Sequence, residues 1–251
     1  MKFSANLGFL FPEIPSVLDK YRAAKEAGFK GVECGDVYQH SIEELVLAKN
    51  ENQLEQVLLN TCTFDPKSKG YAAVPGQEEQ FRKSLEISIK YCKALGCPRL
   101  HVLAGQVPNM RENLCFDTFV SNLAYASQKV SNQGITLLIE PISAIKDYFL
   151  TNTSQAVKII EQVDSPVVKL QLDLYHQQMT QGRIVGTLAD HCSLIEHIQI
   201  AQVPGRHEPD SPGEINFKFV FDEIARIGYK GWVGCEYVPS QDNFDWMQAV
   251  L

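Results

Sequence analysis

The sequence predicts a single α/β domain, a (β/α)8 barrel, because short apolar runs of strand length alternate with amphipathic helical stretches along the chain. Eight such runs occur, and 251 residues is a usual size for one eight-stranded α/β barrel. Polar residues stand at the carboxyl ends of several runs, and in a barrel these ends converge on one mouth. We therefore expect one domain over residues 1–251, with its chemistry at that mouth.

The eight predicted strands are residues 2–7, 31–34, 56–60, 99–103, 135–140, 168–173, 195–200 and 232–237. Between them, apolar residues recur at the spacing of one helix face, as at Val17, Tyr21, Ala24 and Ala27, and at Phe81, Leu85, Ile89 and Cys92. A glycine that follows a helical stretch and precedes a strand predicts a left-handed helix end. These glycines are Gly28, Gly96, Gly134 and Gly228.

Composition excludes several classes of partner. Lys plus Arg total 23 and Asp plus Glu total 30, so the net charge of −7 argues against nucleic-acid and anionic-membrane surfaces. No signal peptide and no membrane-spanning run is visible, and the seven cysteines have no C-x-x-C spacing, so we expect reduced thiols in a cytoplasmic protein. No glycine-rich phosphate motif is present, which argues against a nucleotide or nicotinamide cofactor.

Four polar residues end predicted strands: Glu140 after ITLLI, Asp173 after VKLQL, Gln199 after IEHI and Glu236 after WVGC. At a barrel mouth, three carboxylates and an amide would present oxygen ligands to one point. Such ligands suit Mg²⁺ or Mn²⁺ better than softer metals. The sequence therefore predicts a divalent-metal site formed by these four residues.

Glu140 and Glu236 are also candidates for proton transfer, because two carboxyl groups on separated strands can reach a ligand from different sides. The alternative for each is a salt bridge to a neighbouring loop. Asp173 has its own alternative as the cap of the following helix. His176 comes three residues later, and either lies on a surface loop or faces the site.

Two long connections, residues 61–76 and 201–216, leave the carboxyl ends of strands and are expected to roof the mouth. Arg206 lies in the second and could hold a substrate carboxylate through a bidentate pair. Alternation in the seventh strand puts Gln199 on one face with His197. His101 in the fourth strand is a further substrate-binding candidate or an orienting group, and Glu33 at the end of the second strand is an orienting candidate.

Several phrases carry a family resemblance over nearly the whole chain: FSANLGFLFPE, ALGCPRLHVLAG, LLIEPI, AQVPGRHEPDSPGEINF and GYKGWVGCEY. With these motifs the chain resembles the hydroxypyruvate isomerases of the xylose-isomerase-like TIM-barrel superfamily. The resemblance implies reversible conversion of hydroxypyruvate to 2-hydroxy-3-oxopropanoate (tartronate semialdehyde) through a metal-bound enediolate. It implies that Glu140 and Glu236 transfer protons, that they bind the metal with Asp173 and Gln199, and that His176 and Arg206 contact substrate.

Three other functions stay open at this point. The first is isomerisation or epimerisation of a larger keto acid or keto sugar, such as a 2-oxo-tetronate, although Gln199 differs from the His usual on that strand of ketohexose epimerases. The second is a DNA-repair barrel resembling endonuclease IV, which six histidines and the net charge of −7 disfavour. The third is a barrel that binds a small metabolite without turnover. The superfamily resemblance also makes a homo-oligomer possible.

Overall fold

Eight parallel strands form a closed barrel in the computed structural model, which describes residues 1–35, 37–241 and 243–249. The strands are β1 (Lys2–Asn6), β2 (Gly31–Cys34), β3 (Glu55–Asn60), β4 (Arg99–His101), β5 (Thr136–Ile139), β6 (Val168–Asp173), β7 (Ile195–Ile200) and β8 (Trp232–Cys235). Each strand pairs with the next in chain order, and β1 closes on β8 with Lys2 opposite Trp232. The predicted (β/α)8 barrel is confirmed.

The helices that surround the strands are α1 (Val17–Glu26), α2 (Ile42–Glu51), α3 (Glu78–Leu95), α4 (Glu112–Val130), α5 (Thr153–Val163), α6 (Leu174–Thr180), α7 (Ile184–Asp190) and α8 (Phe217–Arg226). The predicted apolar faces are buried, as at Tyr21 of α1 and Phe81 of α3. All four predicted helix-ending glycines have positive φ. None of the helices within the described ranges combines the length and the apolar character that a membrane crossing requires.

Some strands end earlier than the sequence predicts. Strand β5 stops at Ile139, and Pro141, which has no N–H to give to a ladder, follows one residue later. Strand β4 ends at His101 instead of residue 103, because the Leu103 N–H bonds the Thr61 side chain at 3.1 Å. Strand β8 likewise ends early, at Cys235. Glu140 and Glu236 therefore lie just beyond β5 and β8, at the start of the loops that form the mouth.

The seam between β1 and β8 is covered by aromatic packing. The described chain after β8 contains a short 3-10 helix, Asp245–Ala249. Trp246 of this segment meets Phe3 of β1 edge to face, with ring centroids 5.0 Å apart, and stacks on Phe221 of α8 at 6.1 Å. Aromatic rings bury a large apolar area, so these three side chains cover this part of the barrel from solvent.

None of the seven cysteines forms a disulfide in the described chain, and six of them are buried. Cys34, Cys62 and Cys235 lie at strand ends and are buried, as small apolar side chains at these positions are expected to be. Burial raises the pKa of the Cys235 thiol well above its ordinary value, so the thiol stays protonated and is a poor nucleophile.

Replacing Leu100 by Ala is expected to destabilise the barrel by about 2–5 kcal/mol, because this β4 side chain is fully buried and its removal leaves a cavity. Urea denaturation measures the change in the free energy of unfolding. Leu47→Ala on α2 is the matched control, since Leu47 is 58% exposed. Equal losses in the two variants would contradict the assigned core.

Candidate active site

A cavity of about 420 Å³ opens at the carboxyl ends of the strands. Its lining includes Glu33, Glu140, Gln199 and Glu236 from four different strand ends. The two long connections also reach it, and residues 61–76 contribute Thr61, Thr63, Pro66, Ser68 and Lys69. Both connections therefore contribute to the mouth as predicted, since residues 201–216 contribute Arg206.

Glu140 is 4% exposed, and its neighbours are polar groups of the barrel interior. Gln171 Nε2 donates to Glu140 Oε2 at 2.9 Å, and His101 Nδ1 lies 3.4 Å from the same oxygen. The other oxygen, Oε1, has no hydrogen-bond partner among the described residues. Burial, with the nearby charges of Glu236 and Asp173, holds the pKa of Glu140 well above its ordinary value. A salt bridge to a loop lysine or arginine, the alternative for Glu140, is absent within the described chain.

Glu236 follows β8 and makes contacts to three side chains in the cavity. Asn6 Nδ2 donates to its Oε2 at 2.9 Å, Gln199 Nε2 donates to the same oxygen, and Arg206 Nη2 lies 2.8 Å from Oε1. Burial raises the pKa of Glu236 to about 8 against the opposing charge of Arg206, and Asp173 adds to the rise. A carboxyl group with this pKa can both hold and release a proton near neutral pH.

One oxygen of Asp173 caps a helix, and the other lies beside two basic side chains of the site. Its Oδ1 accepts the Tyr175 N–H at 2.8 Å and caps α6. Its Oδ2 faces the mouth, 3.3 Å from Arg206 Nη2 and 3.5 Å from His176 Nε2. His176 is 2% exposed, so its side chain belongs to the site and not to a surface loop.

The histidine rings of the site are neutral. Burial lowers the pKa of His176 although Asp173 acts in the other direction, and Ser143 Oγ lies 2.8 Å from its Nδ1. Burial, with the nearby rings of His197 and His176, lowers the pKa of His101 to about 3. His101 Nδ1 lies 3.2 Å from Asn60 Oδ1, and its Nε2 has no hydrogen-bond partner within the described residues.

Three side chains could hold a metal ion: Glu140, Asp173 and His176 each offer one ligand atom, and these atoms all lie within 4.8 Å of one another. The donors are two carboxylates and one imidazole, a set that suits a small divalent cation. His176, which the sequence analysis assigned to substrate contact, therefore also lies beside the candidate metal ligands.

Gln199 and Glu236, the other two predicted metal ligands, lie next to this group. In this structure the Gln199 amide nitrogen faces the carboxylates of Glu33 and Glu236, and its oxygen accepts from Gln171 Nε2 at 2.6 Å. To offer oxygen to a cation, the Gln199 amide must rotate by about half a turn, which its near-symmetric shape permits. The assignment of these two ligands stays a prediction.

Glu33 anchors a buried network below the cavity. It is 1% exposed and accepts from Ser4 Oγ at 2.6 Å and from Gln199 Nε2 at 2.8 Å, while His197 Nε2 lies 3.0 Å away. Burial raises the pKa of Glu33, but His197 and these hydrogen bonds outweigh it, so the pKa lies below its ordinary value. The predicted common face of His197 and Gln199 is confirmed, because both side chains reach Glu33.

Arg206 has a left-handed backbone conformation, with φ of 56°. Its guanidinium lies over the ring of Phe9 at 4.5 Å and the ring of Tyr175 at 4.8 Å. Its Nη2 contacts both Asp173 and Glu236. Arg206, the basic residue predicted to bind the substrate, is therefore in the cavity, but two carboxylates of the protein offset much of its charge.

Sequence reasoning missed several residues of the site, among them two that hold the proposed proton-transfer pair. Gln171 joins Glu140 to Gln199 through its amide nitrogen, and Asn6 holds Glu236. Alternation along β6 gives a signal for Gln171, since residues two apart face the same side and Asp173 is a site residue. Asn6 is a polar residue at the carboxyl end of β1, and polar residues at strand ends also identified Glu140, Asp173, Gln199 and Glu236.

Comparison with known proteins finds relatives over nearly the whole chain. A model of the xylose isomerase-like TIM-barrel family matches residues 21–251. A protein of Danio rerio named putative hydroxypyruvate isomerase is 42% identical to this chain, covering 99% of it and 95% of that protein.

The chain belongs to the xylose isomerase-like TIM-barrel family. Among other members, a hydroxypyruvate isomerase of Escherichia coli (strain K12) is 38% identical and covers 98% of both chains. A 2-oxo-tetronate isomerase of Pectobacterium atrosepticum is also 38% identical, over 100% of this chain and 98% of that protein. The sequence resemblance to hydroxypyruvate isomerases is thereby confirmed.

Solved structures of other proteins share the barrel. A crystal structure described as AP endonuclease, family 2, from Brucella melitensis has a TM-score of 0.95 and 36% identity, covering 99% of this chain and 98% of that chain. An Escherichia coli 3-keto-D-glucoside 4-epimerase has a TM-score of 0.81 at 21% identity, with coverage of 98% and 95%. At that identity the likeness concerns the fold alone.

Gly234→Ala is expected to disturb the Glu33 network, because a Cβ at Gly234 would lie well under 3.0 Å from the Glu33 carboxylate. Glu33 is buried and held by three partners, so we expect a loss of about 1–3 kcal/mol in the free energy of unfolding. Urea denaturation of Gly234→Ala, Glu33→Ala and the double variant measures the coupling. If Gly234→Ala lowers the free energy of unfolding by the same amount in the Glu33→Ala variant as in the unmodified protein, the assigned contact is wrong.

Proposed function

We propose that this protein is an isomerase of small keto acids that interconverts hydroxypyruvate and 2-hydroxy-3-oxopropanoate. Relatives named hydroxypyruvate isomerase or putative hydroxypyruvate isomerase are 38–42% identical over nearly the full chain. The observation that carries the proposal is the pair of carboxyl groups, Glu140 and Glu236, which line one cavity and both have raised pKa values. An isomerisation of this kind needs one group that removes a carbon-bound proton and another that returns one.

In the proposed reaction, one glutamate of the pair removes a proton from C3 of hydroxypyruvate. The C3–H electrons form the double bond of an enediol, and the C2 carbonyl becomes an oxyanion. The other glutamate gives a proton to C2, and the hydroxyl proton on O3 moves to O2. Glu140 follows β5 and Glu236 follows β8, so the pair can approach the two carbons from different sides of the cavity.

The residues present fit a divalent cation. Glu140 has a buried oxygen without a hydrogen-bond partner in the described chain, and three carboxyl groups of the site, those of Glu140, Asp173 and Glu236, share only the charge of Arg206. We propose that Glu140, Asp173, Gln199 and Glu236 hold Mg²⁺ or Mn²⁺, with His176 as a further donor. A bound cation of this kind acts as a Lewis acid on a substrate carbonyl.

Three side chains are proposed to orient the substrate. The pKa of His101 is lowered to about 3 and its Nε2 has no hydrogen-bond partner within the described chain, so this nitrogen can accept a hydrogen bond from a substrate hydroxyl. His176, whose pKa is also lowered, can form a hydrogen bond to a substrate oxygen. Arg206 uses Nε and Nη2 in its hydrogen bonds to the described residues, which leaves Nη1 for a substrate oxygen.

A second candidate is isomerisation of a four-carbon acid, 2-oxo-tetronate. Relatives named for that reaction are 38% identical over 98–100% of the chain, which is the same identity as the Escherichia coli hydroxypyruvate isomerase. The cavity of about 420 Å³ has room for one further hydroxymethylene group. The relative kcat/KM for the two acids decides between them.

Glu140→Gln and Glu236→Gln are each expected to lower the turnover of hydroxypyruvate by roughly 10²–10⁴-fold, because an amide cannot exchange the proton that a carboxyl group carries. A coupled reductase that consumes 2-hydroxy-3-oxopropanoate measures the rate. Glu161→Gln on α5 is the control, since this glutamate is exposed and distant from the mouth. Full activity in either site variant would remove the proton-transfer assignment.

Metal affinity is expected to rise with pH up to about 8, by as much as roughly tenfold per unit for each proton released. The raised pKa values of Glu140 and Glu236 mean that the metal-free site holds protons at neutral pH, and a cation must displace them. Calorimetric titration with Mn²⁺ in buffers of different ionisation enthalpy counts the protons. Binding that releases none and is independent of pH would contradict the assigned ligands.

A further inference from the structure

The cavity has an unfavourable charge for the acid that it is proposed to take. Within the described chain its lining includes the carboxylates of Glu33, Glu140 and Glu236, whereas its only basic side chains are Lys69 and Arg206. A substrate carboxylate therefore needs a positive group in the lining whose charge the carboxylates of the protein do not already share.

Arg206 is poorly suited to be that cation alone. It lies 2.8 Å from Glu236 Oε1 and 3.3 Å from Asp173 Oδ2, so two carboxylates of the protein already share its charge. It also lies between the rings of Phe9 and Tyr175, which limit the directions from which another anion can approach. Its position favours orientation of Glu236 over capture of a free acid.

Lys69 is the other cation of the lining, and no ion pair engages it among the described residues. It is exposed at the rim, on the connection that follows β3. Arg206 lies on the connection that follows β7, and β3 and β7 are on opposite sides of the closed eight-stranded barrel. The two cations therefore approach the cavity from opposite sides.

The backbone next to Lys69 is fixed. Gly70 forms a bridge with Ala104 and has φ of 109°, and a Cβ on it would lie well under 3.0 Å from the Leu103 backbone. Ala72 N–H donates to Leu103 O at 3.4 Å, and Ala73 N–H donates to Ala104 O at 2.7 Å. The side chain of Lys69 thus extends from a fixed backbone position at the edge of the cavity.

We propose that Lys69 binds the substrate carboxylate and makes the site specific for keto acids over uncharged keto sugars. The acid group is then held on the β3 side, and C2 and C3 extend toward Glu140 and Glu236. This assignment rests on the proposed function for its substrate class, and it separates two tasks: the strand ends carry out proton transfer, and a loop residue selects the charge of the ligand.

Direct binding tests this proposal without turnover. The probes are glycerate, an unreactive relative of hydroxypyruvate that keeps the carboxylate, and glycerol, which lacks it, titrated calorimetrically into Mg²⁺-loaded protein. Lys69→Met is expected to weaken glycerate binding roughly tenfold and to reduce its dependence on salt, because a charge-assisted contact is lost. Glycerol binding is expected to stay the same, and Lys69→Arg is expected to restore most of the affinity for glycerate.

Lys67→Met is the matched control, because Lys67 is an exposed lysine of the same loop that does not line the cavity. Unchanged glycerate binding in Lys69→Met would overturn the proposal, and so would an equal loss in Lys67→Met, which would indicate a general field effect. Steady-state kinetics then reports on the proposed function separately. A protein that binds glycerate through Lys69 but does not turn over hydroxypyruvate would refute the reaction and leave the acid site standing.

Discussion

Mutual repulsion among carboxylates with little exposure to water is the constraint on which the arrangement of this site depends. Glu33 and Asp173 lie in β2 and β6, Glu140 and Glu236 directly follow β5 and β8, and the closed barrel brings all four to one mouth. Removing a carboxylate from water is costly unless hydrogen bonds or opposite charges compensate it. The compensation is unequal, since Glu33 has three polar partners while one oxygen of Glu140 has none in the described chain.

This inequality sets different protonation states for chemically similar groups. Glu33 has a lowered pKa and is a fixed charge that orients Gln199, whereas Glu140 and Glu236 have raised pKa values and can exchange protons. Environments that separate the pKa values of neighbouring acids are a recurrent basis for assigning catalytic roles. The amide of Gln171 links Glu140 to Gln199, so the exchanging acids and the fixed one belong to one hydrogen-bonded system.

The fold and the strand-end residues could be predicted from sequence because both depend on local pattern. Apolar runs locate the strands, and barrel geometry then sends the residue at each carboxyl end to the mouth. The partners of those residues could not be predicted. His197 contacts Glu33 although the two residues are 164 positions apart in the sequence and lie on strands that do not pair. Arg206 reaches Glu236 from a left-handed backbone conformation, which nothing in an arginine side chain requires. Such contacts depend on barrel closure and on loop conformation, which leave no periodic signal.

The close approach of Gly70 to the backbone at Leu103 has a consequence for how this barrel can diverge. The contact fixes the β3–α3 connection near its middle, so residues 64–69 form a short arch between β3 and this fixed point. Changes of length or charge within such an arch alter what the mouth admits, while the strand ends keep their positions. Substrate range and reaction chemistry are then inherited separately, which suits a family whose members bear names for acids of different length.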